Sequence, residues 1–153
     1  MNVTRTVVIG LIATASMTAL LMVEPSVGLP EIAIGQVLST SLGLSAAHLE
    51  SGAAVGWLLH FLVGSIWAVV YGAVVVDRLP GPPVVRGLIF AFLVFLLAQA
   101  VFMPLVGGGV FSGGDPLMLA GSLLGHLVYG SVLGWVYGGA GLAQGGTAMP
   151  RTA

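Results

Sequence analysis

Two histidines stand in matching surroundings. His60-Phe-Leu-Val-Gly64-Ser65 is followed by Tyr71-Gly72, and His126-Leu-Val-Tyr-Gly130-Ser131 is followed by Tyr137-Gly138. His, Gly, Ser, Tyr and Gly recur at one constant spacing. Neutral imidazole is a strong iron ligand, and bis-histidine ligation takes one His from each of two facing helices. His60 and His126 meet that requirement if their segments are helical and lie at one depth, roughly 12–15 Å from one membrane face. The expected chemistry is a metal centre with His60 and His126 as its ligands, a haem b carrying single electrons. Gly64 and Gly130 lie one turn along the same face and would offer flat surfaces to a porphyrin. Gln99, at a similar depth, would hydrogen-bond the second ring nitrogen of one His. The plainer alternative is that the two imidazoles bond to each other, to Gln99 or to a Ser hydroxyl and fix helix register.

Elements that position such residues must lie in a membrane. Of 153 residues, 58% are hydrophobic and 6% charged, with a mean hydropathy of +1.11. A soluble domain carries about 25% charged residues, so this composition cannot clothe a soluble surface. A net charge of −1 without a basic cluster excludes a nucleic-acid partner. The absence of cysteine excludes disulfides, thiolate metal sites and Cys nucleophiles. The 24 glycines show no collagen period and fit closely packed membrane helices. No carboxylate pair, Ser-His-Asp set or zinc motif is present, which points to a carrier or binding protein rather than an enzyme.

Four apolar stretches, Thr6–Val23, Gly52–Val76, Val84–Met103 and Pro116–Gly138, are each long enough to span. Pro25, Pro80, Pro104 and Pro150 lie beyond their ends. Asp115-Pro116 reads as an N-cap followed by Pro at the first helical position. The expected fold is all-α, a polytopic membrane protein of four transmembrane helices within a single domain, 1–153. Two helix pairs, about 5–76 and 84–138, would be related by a pseudo-twofold axis along the membrane normal. The first and third spans match more weakly, through Arg5 with Arg86 and Met22 with Met103. Residues 139–153 are expected to form a flexible C-terminal tail. With an even number of spans, Arg5, Arg78, Arg86 and Arg151 share one side, whereas Glu24, Glu31, Glu50 and Asp115 lie opposite. By the positive-inside rule both termini are cytoplasmic, in the cell inner membrane. Arg5 and the apolar run after it resemble a signal peptide, but no small-x-small cleavage site follows, so the first span is expected to be retained.

Outside the histidines little polar chemistry is expected in the spans, and no Asp or Glu is placed within one. Tyr71 and Tyr137 read as an interfacial aromatic belt. Met22 and Met103 read as packing residues, and His48 and Glu50 as solvated loop residues. Pro30-Glu31 through Leu38 reads as a short helix on the outer interface. Gly107 to Gly114 reads as a tight turn, because a phosphate loop would need a following Lys.

The run Gly56-Trp-Leu-Leu-His60-Phe-Leu-Val-Gly64, with Ala68 and Tyr71 after it, resembles a family of small prokaryotic four-helix membrane proteins, DUF6789. Ala98-Gln99 and the later Gly-rich turn resemble it too. The resemblance covers the chain from the first outer loop onward. It implies a four-helix membrane fold and carries no activity, so it adds no functional residue. Three readings remain open: a haem- or metal-binding protein, an accessory subunit contacting other membrane protein subunits in the lipid bilayer, and a small transporter. The absence of an ionisable span residue other than His weighs against the last.

Overall fold

Helix starts are written in short polar signals. Asn2 caps the first helix, its side-chain oxygen accepting from Arg5 N at 3.1 Å. Asp115 Oδ1 accepts from Leu117 N at 2.9 Å and Met118 N at 3.1 Å, ahead of Pro116. Pro82-Pro83 opens a third long helix in the same N-terminal-proline manner. The computed structural model describes residues 2–41 and 49–145. His48, Arg151 and the tail beyond 145 lie outside the described residues, as does the Glu50 side chain.

The elements in chain order are α1 (Val3–Val23), α2 (Ile34–Ser41), α3 (Leu49–Val70), α4 (Pro83–Leu97) and α5 (Pro116–Gly145). A 3-10 turn, Glu24–Val27, follows α1 and stops at Gly28, whose φ of 87° suits a residue without Cβ. α3 runs on into a π turn, Tyr71–Val75. α4 runs into another, Ala98–Phe102, and then a last turn, Met103–Leu105. Helix continues past Gly138 to Gly145, into the stretch where a tail was expected. Four segments are long and apolar enough to cross a bilayer: Val3–Val27, Ala53–Val75, Pro83–Leu105 and Pro116–Gly139. Leu58, Leu62, Ile66, Phe92, Leu93 and Trp135 are exposed on their outer faces, as a lipid solvent allows.

α1 packs antiparallel on α3, α4 on α5, and α1 also lies along α5. Small residues set these contacts. Gly10 meets Ser65 and Ala68, and Gly64 meets Thr14. Gly87 meets Gly130 and Gly134, close enough that a Cβ at any of the three would strike backbone of the other helix. α3 and α4 meet differently. Trp67 and Tyr71 both pack on Phe90, with ring centroids 6.1 and 5.2 Å away. That contact lies toward the end bearing Arg5, Arg78 and Arg86, the arginine end.

α2 is held by the bundle. It starts at Ile34, after Pro30 and Glu31, and packs on α3. Gly56 lies against Gly35, where a Cβ on Gly56 would strike the Gly35 backbone and one on Gly35 would press on Ala53 O and Trp57. Leu38 is buried. The Gly107–Gly114 segment is a tight turn as expected, with positive φ at Gly107, Gly109, Gly113 and Gly114 and also at Phe111 and Ser112. It folds back on α4, Phe111 N donating to Gln99 O at 3.0 Å.

Candidate functional site: a cavity between α3 and α4

Above the Trp67–Phe90 contact, toward the end bearing Glu24 and Asp115, a cavity of about 360 Å³ separates α3 from α4. His60 and His126 both line it, with Thr14, Trp67 and Tyr129. Ile34 and Leu38 of α2 close one end. Val63, Leu97, Val101 and Leu105 also line it and are exposed, so its mouth opens sideways between α3 and α4, where lipid would lie. Among the described residues no arginine, lysine or carboxylate lines it.

The two imidazoles are held separately. Nε2 of His60 lies 3.1 Å from Thr18 Oγ1, and the Thr18 hydroxyl donates to Thr14 O at 2.9 Å. A hydroxyl has one proton, so the His60 Nε2–H donates and Thr18 Oγ1 accepts. The ring is wedged edge-on by Trp57 and Phe61, at 5.8 and 5.7 Å. Nδ1 of His126 donates to Ser122 O at 2.7 Å, because a carbonyl can only accept. In a neutral ring this leaves Nε2 of His126 as an acceptor. Phe95 packs edge-on against that ring at 5.6 Å. The structure thus brings the two predicted ligands to one cavity but does not bond them to each other. The nitrogen of His60 that an iron would commonly take is engaged by Thr18. Among the described residues no group of three or more His, Cys, Asp or Glu could hold a metal ion.

The other predicted site residues divide. Gln99 is buried in the π turn at 2% exposure, but its amide bonds neither His. Nε2 donates to Ser122 Oγ at 3.0 Å, and Ser112 Oγ donates to Oε1 at 2.8 Å. It ties α4 to α5 and to the Gly-rich turn, and touches His126 only through Ser122. Gly64 lines the cavity, whereas Gly130 does not and serves the α4–α5 contact. Only one of the two motif glycines therefore faces the cavity. Tyr71 is not in an interfacial belt: it is fully buried, edge-to-face with Tyr137 at 5.6 Å. Met22 is 67% exposed rather than packed.

Sequence reasoning missed four residues here. Thr14 and Thr18 hold the α1 wall, and Thr6, Gly10, Thr14 and Thr18 make a four-residue spacing of small or polar residues legible in the sequence. Tyr129 has no equivalent in the first half, where Val63 stands, so the repeat hid it. Glu24, taken for a loop residue, is 1% exposed within the first candidate span. Its carboxylate lies against α5 at Gly121, where a Cβ would come within 2.7 Å of Oε2.

Residues 1–144 match a family of unknown function, DUF6789. No curated protein and no solved structure matches the chain.

Proposed function

We propose that this protein, which belongs to the DUF6789 family of unknown function, binds a hydroxyl-bearing apolar lipid in the cavity between α3 and α4. The carrying observation is the sideways opening of an apolar cavity whose wall holds an imidazole acceptor. Ligand sites are mostly apolar, with a few placed polar groups fixing orientation. Here the chain or ring system of a lipid enters from the bilayer past Val101 and Leu105. Its hydroxyl donates to Nε2 of His126. His60 and Tyr129, each held by a hydrogen bond of its own, shape the opposite wall. The role is binding or presentation of a lipid, not catalysis.

Haem b between His60 and His126 is the competing occupant. It is supported by the shared cavity. It requires His60 to leave Thr18, and it finds no cation among the lining residues for its propionates. The lipid requires neither change.

Two further readings accompany this one. Both termini are cytoplasmic, since Arg5, Arg78 and Arg86 gather at one end. The helix pairs α1–α3 and α4–α5 are pseudo-twofold mates; the matching glycine contacts of Gly10 and Gly87 support this. The cavity arises where that symmetry fails, because α1 packs along α5 whereas α3 and α4 meet mainly at one end.

The test is mass spectrometry of an organic extract of protein purified in mild detergent, with an absorbance spectrum of the same sample. One hydroxyl-bearing lipid class should copurify with the wild type and fall in His126→Phe and in Val101→Trp, which fills the mouth. An extract unchanged in both variants overturns the proposal. A Soret band lost in both His60→Ala and His126→Ala replaces it with haem.

A further inference from the structure

The Tyr-Gly half of the repeated motif is unused by the cavity above. Tyr71-Gly72 and Tyr137-Gly138 instead converge at the arginine end, lining a second cavity of about 310 Å³ with Asp77 and Arg86. Arg86 is fixed there by the α3–α4 turn. Its Nε donates to Gly81 O at 2.7 Å and its Nη1 to Val76 O at 2.9 Å. A guanidinium has five N–H donors, so the Nη2 amino group stays uncommitted. Among the described residues Arg86 forms no ion pair, although Asp77 lines the same cavity. The second observation is independent. Tyr71 is 0% exposed, and its hydroxyl has no hydrogen-bond partner. A buried hydroxyl without a partner costs free energy, and here it belongs to a cavity-lining residue beside a guanidinium. A Cβ at Gly138 would strike the Pro83 ring, so this glycine lets α5 lie close to the start of α4 beside the cavity.

We propose that this second cavity is a site for a zwitterionic phosphate ester of the phosphoethanolamine class. The phosphate oxygens accept from Arg86 Nη2 and the Tyr137 hydroxyl, and from the Tyr71 hydroxyl once the head group has displaced the side chains that cover it. A tetrahedral anion suits three donors around one cavity, and guanidinium bonds to phosphate are charge-assisted. Asp77 takes the ammonium. One cation and one carboxylate in the same cavity match a head with both charges and disfavour one with phosphate alone. The ester is the head of a membrane phospholipid or a soluble molecule with the same group. This inference does not depend on the lipid proposed for the α3–α4 cavity.

Native mass spectrometry of the full chain in detergent, with equal phosphatidylethanolamine and phosphatidylglycerol added, tests it. The wild type should retain phosphatidylethanolamine in preference, and Tyr71→Phe and Arg86→Gln should each lower retention about tenfold. Asp77→Asn should remove the preference between the two lipids. Tyr71→Phe keeps the ring and its contacts with Phe90 and Tyr137, so it decides the matter even if Arg86→Gln fails to fold. Millimolar O-phosphoethanolamine distinguishes the sources: displacement of the lipid assigns a soluble ester, and no displacement assigns the membrane lipid. Equal retention of both lipids by the wild type, or retention unchanged in Tyr71→Phe, overturns the proposal.

Discussion

The hydroxyl of Tyr129 on α5 donates to the main-chain carbonyl of Gly64 on α3 at 2.7 Å. This bond crosses the bundle beneath the histidines and joins two helices from different halves of the chain. Tyr129→Phe removes the donor and keeps the ring. It is expected to destabilise by about 0.5–1.5 kcal/mol, read as a lowered midpoint of thermal unfolding in detergent. An unchanged midpoint would mean the crossing bond adds nothing to stability.

The two motif glycines should differ in tolerance. A Cβ at Gly130 would meet the backbone of Gly87, which cannot yield, whereas one at Gly64 would meet the Thr14 side chain. Gly130→Ala is therefore expected to cost about 1–3 kcal/mol by overpacking, whatever is done to Thr14. Gly64→Ala should be largely relieved by Thr14→Ala in the same chain. A double-mutant cycle on unfolding midpoints checks this, and additive losses would count against it.

Thr18→Val takes away the acceptor for the His60 Nε2–H while keeping the side-chain shape. A buried donor left without a partner costs about 1–3 kcal/mol. The ring should also lose its fixed tautomer, which nitrogen-15 spectra of labelled histidine would register. A His60 signal identical to wild type would show that Thr18 does not orient the ring.

The native chain has no cysteine, so single cysteines report sidedness cleanly. With the arginine end cytoplasmic, Glu31→Cys should react with an impermeant reagent applied to intact cells, and Pro80→Cys should react only after permeabilisation. The reverse pattern would invert the topology.

Much of the frame was readable because a bilayer imposes a simple rule, a long apolar run for each crossing. The Asp115 cap and the glycine-rich turn were readable for a similar reason: each is a local signal needing no knowledge of neighbours. Both histidines line one cavity, as their matching sequence surroundings led one to look for, although neither bonds the other. Their partners were not legible. Gln99 found Ser122 and Ser112 instead of a histidine because the Gly-rich turn folds back over the α4 end, a tertiary event. Tyr71 looked interfacial from its place near the end of a span, yet Phe90 and Tyr137 cover it. Glu24 looked like a loop residue because nothing in the sequence announces that Gly121 leaves it room.

The π turn at Ala98–Phe102 acts as a phase adjuster for the rim of the α3–α4 cavity. An α-helix advances about 100° and 1.5 Å per residue, and a π turn holds one residue more than an α turn in the same hydrogen-bonded loop. Everything after it, including Leu105 at the mouth, is dialled round by that surplus residue. Removing one residue from this segment should let the helix close into a regular α repeat and swing the rim away by about a quarter turn. Four segments able to cross a membrane would remain, but the lipid proposed for the cavity should no longer copurify.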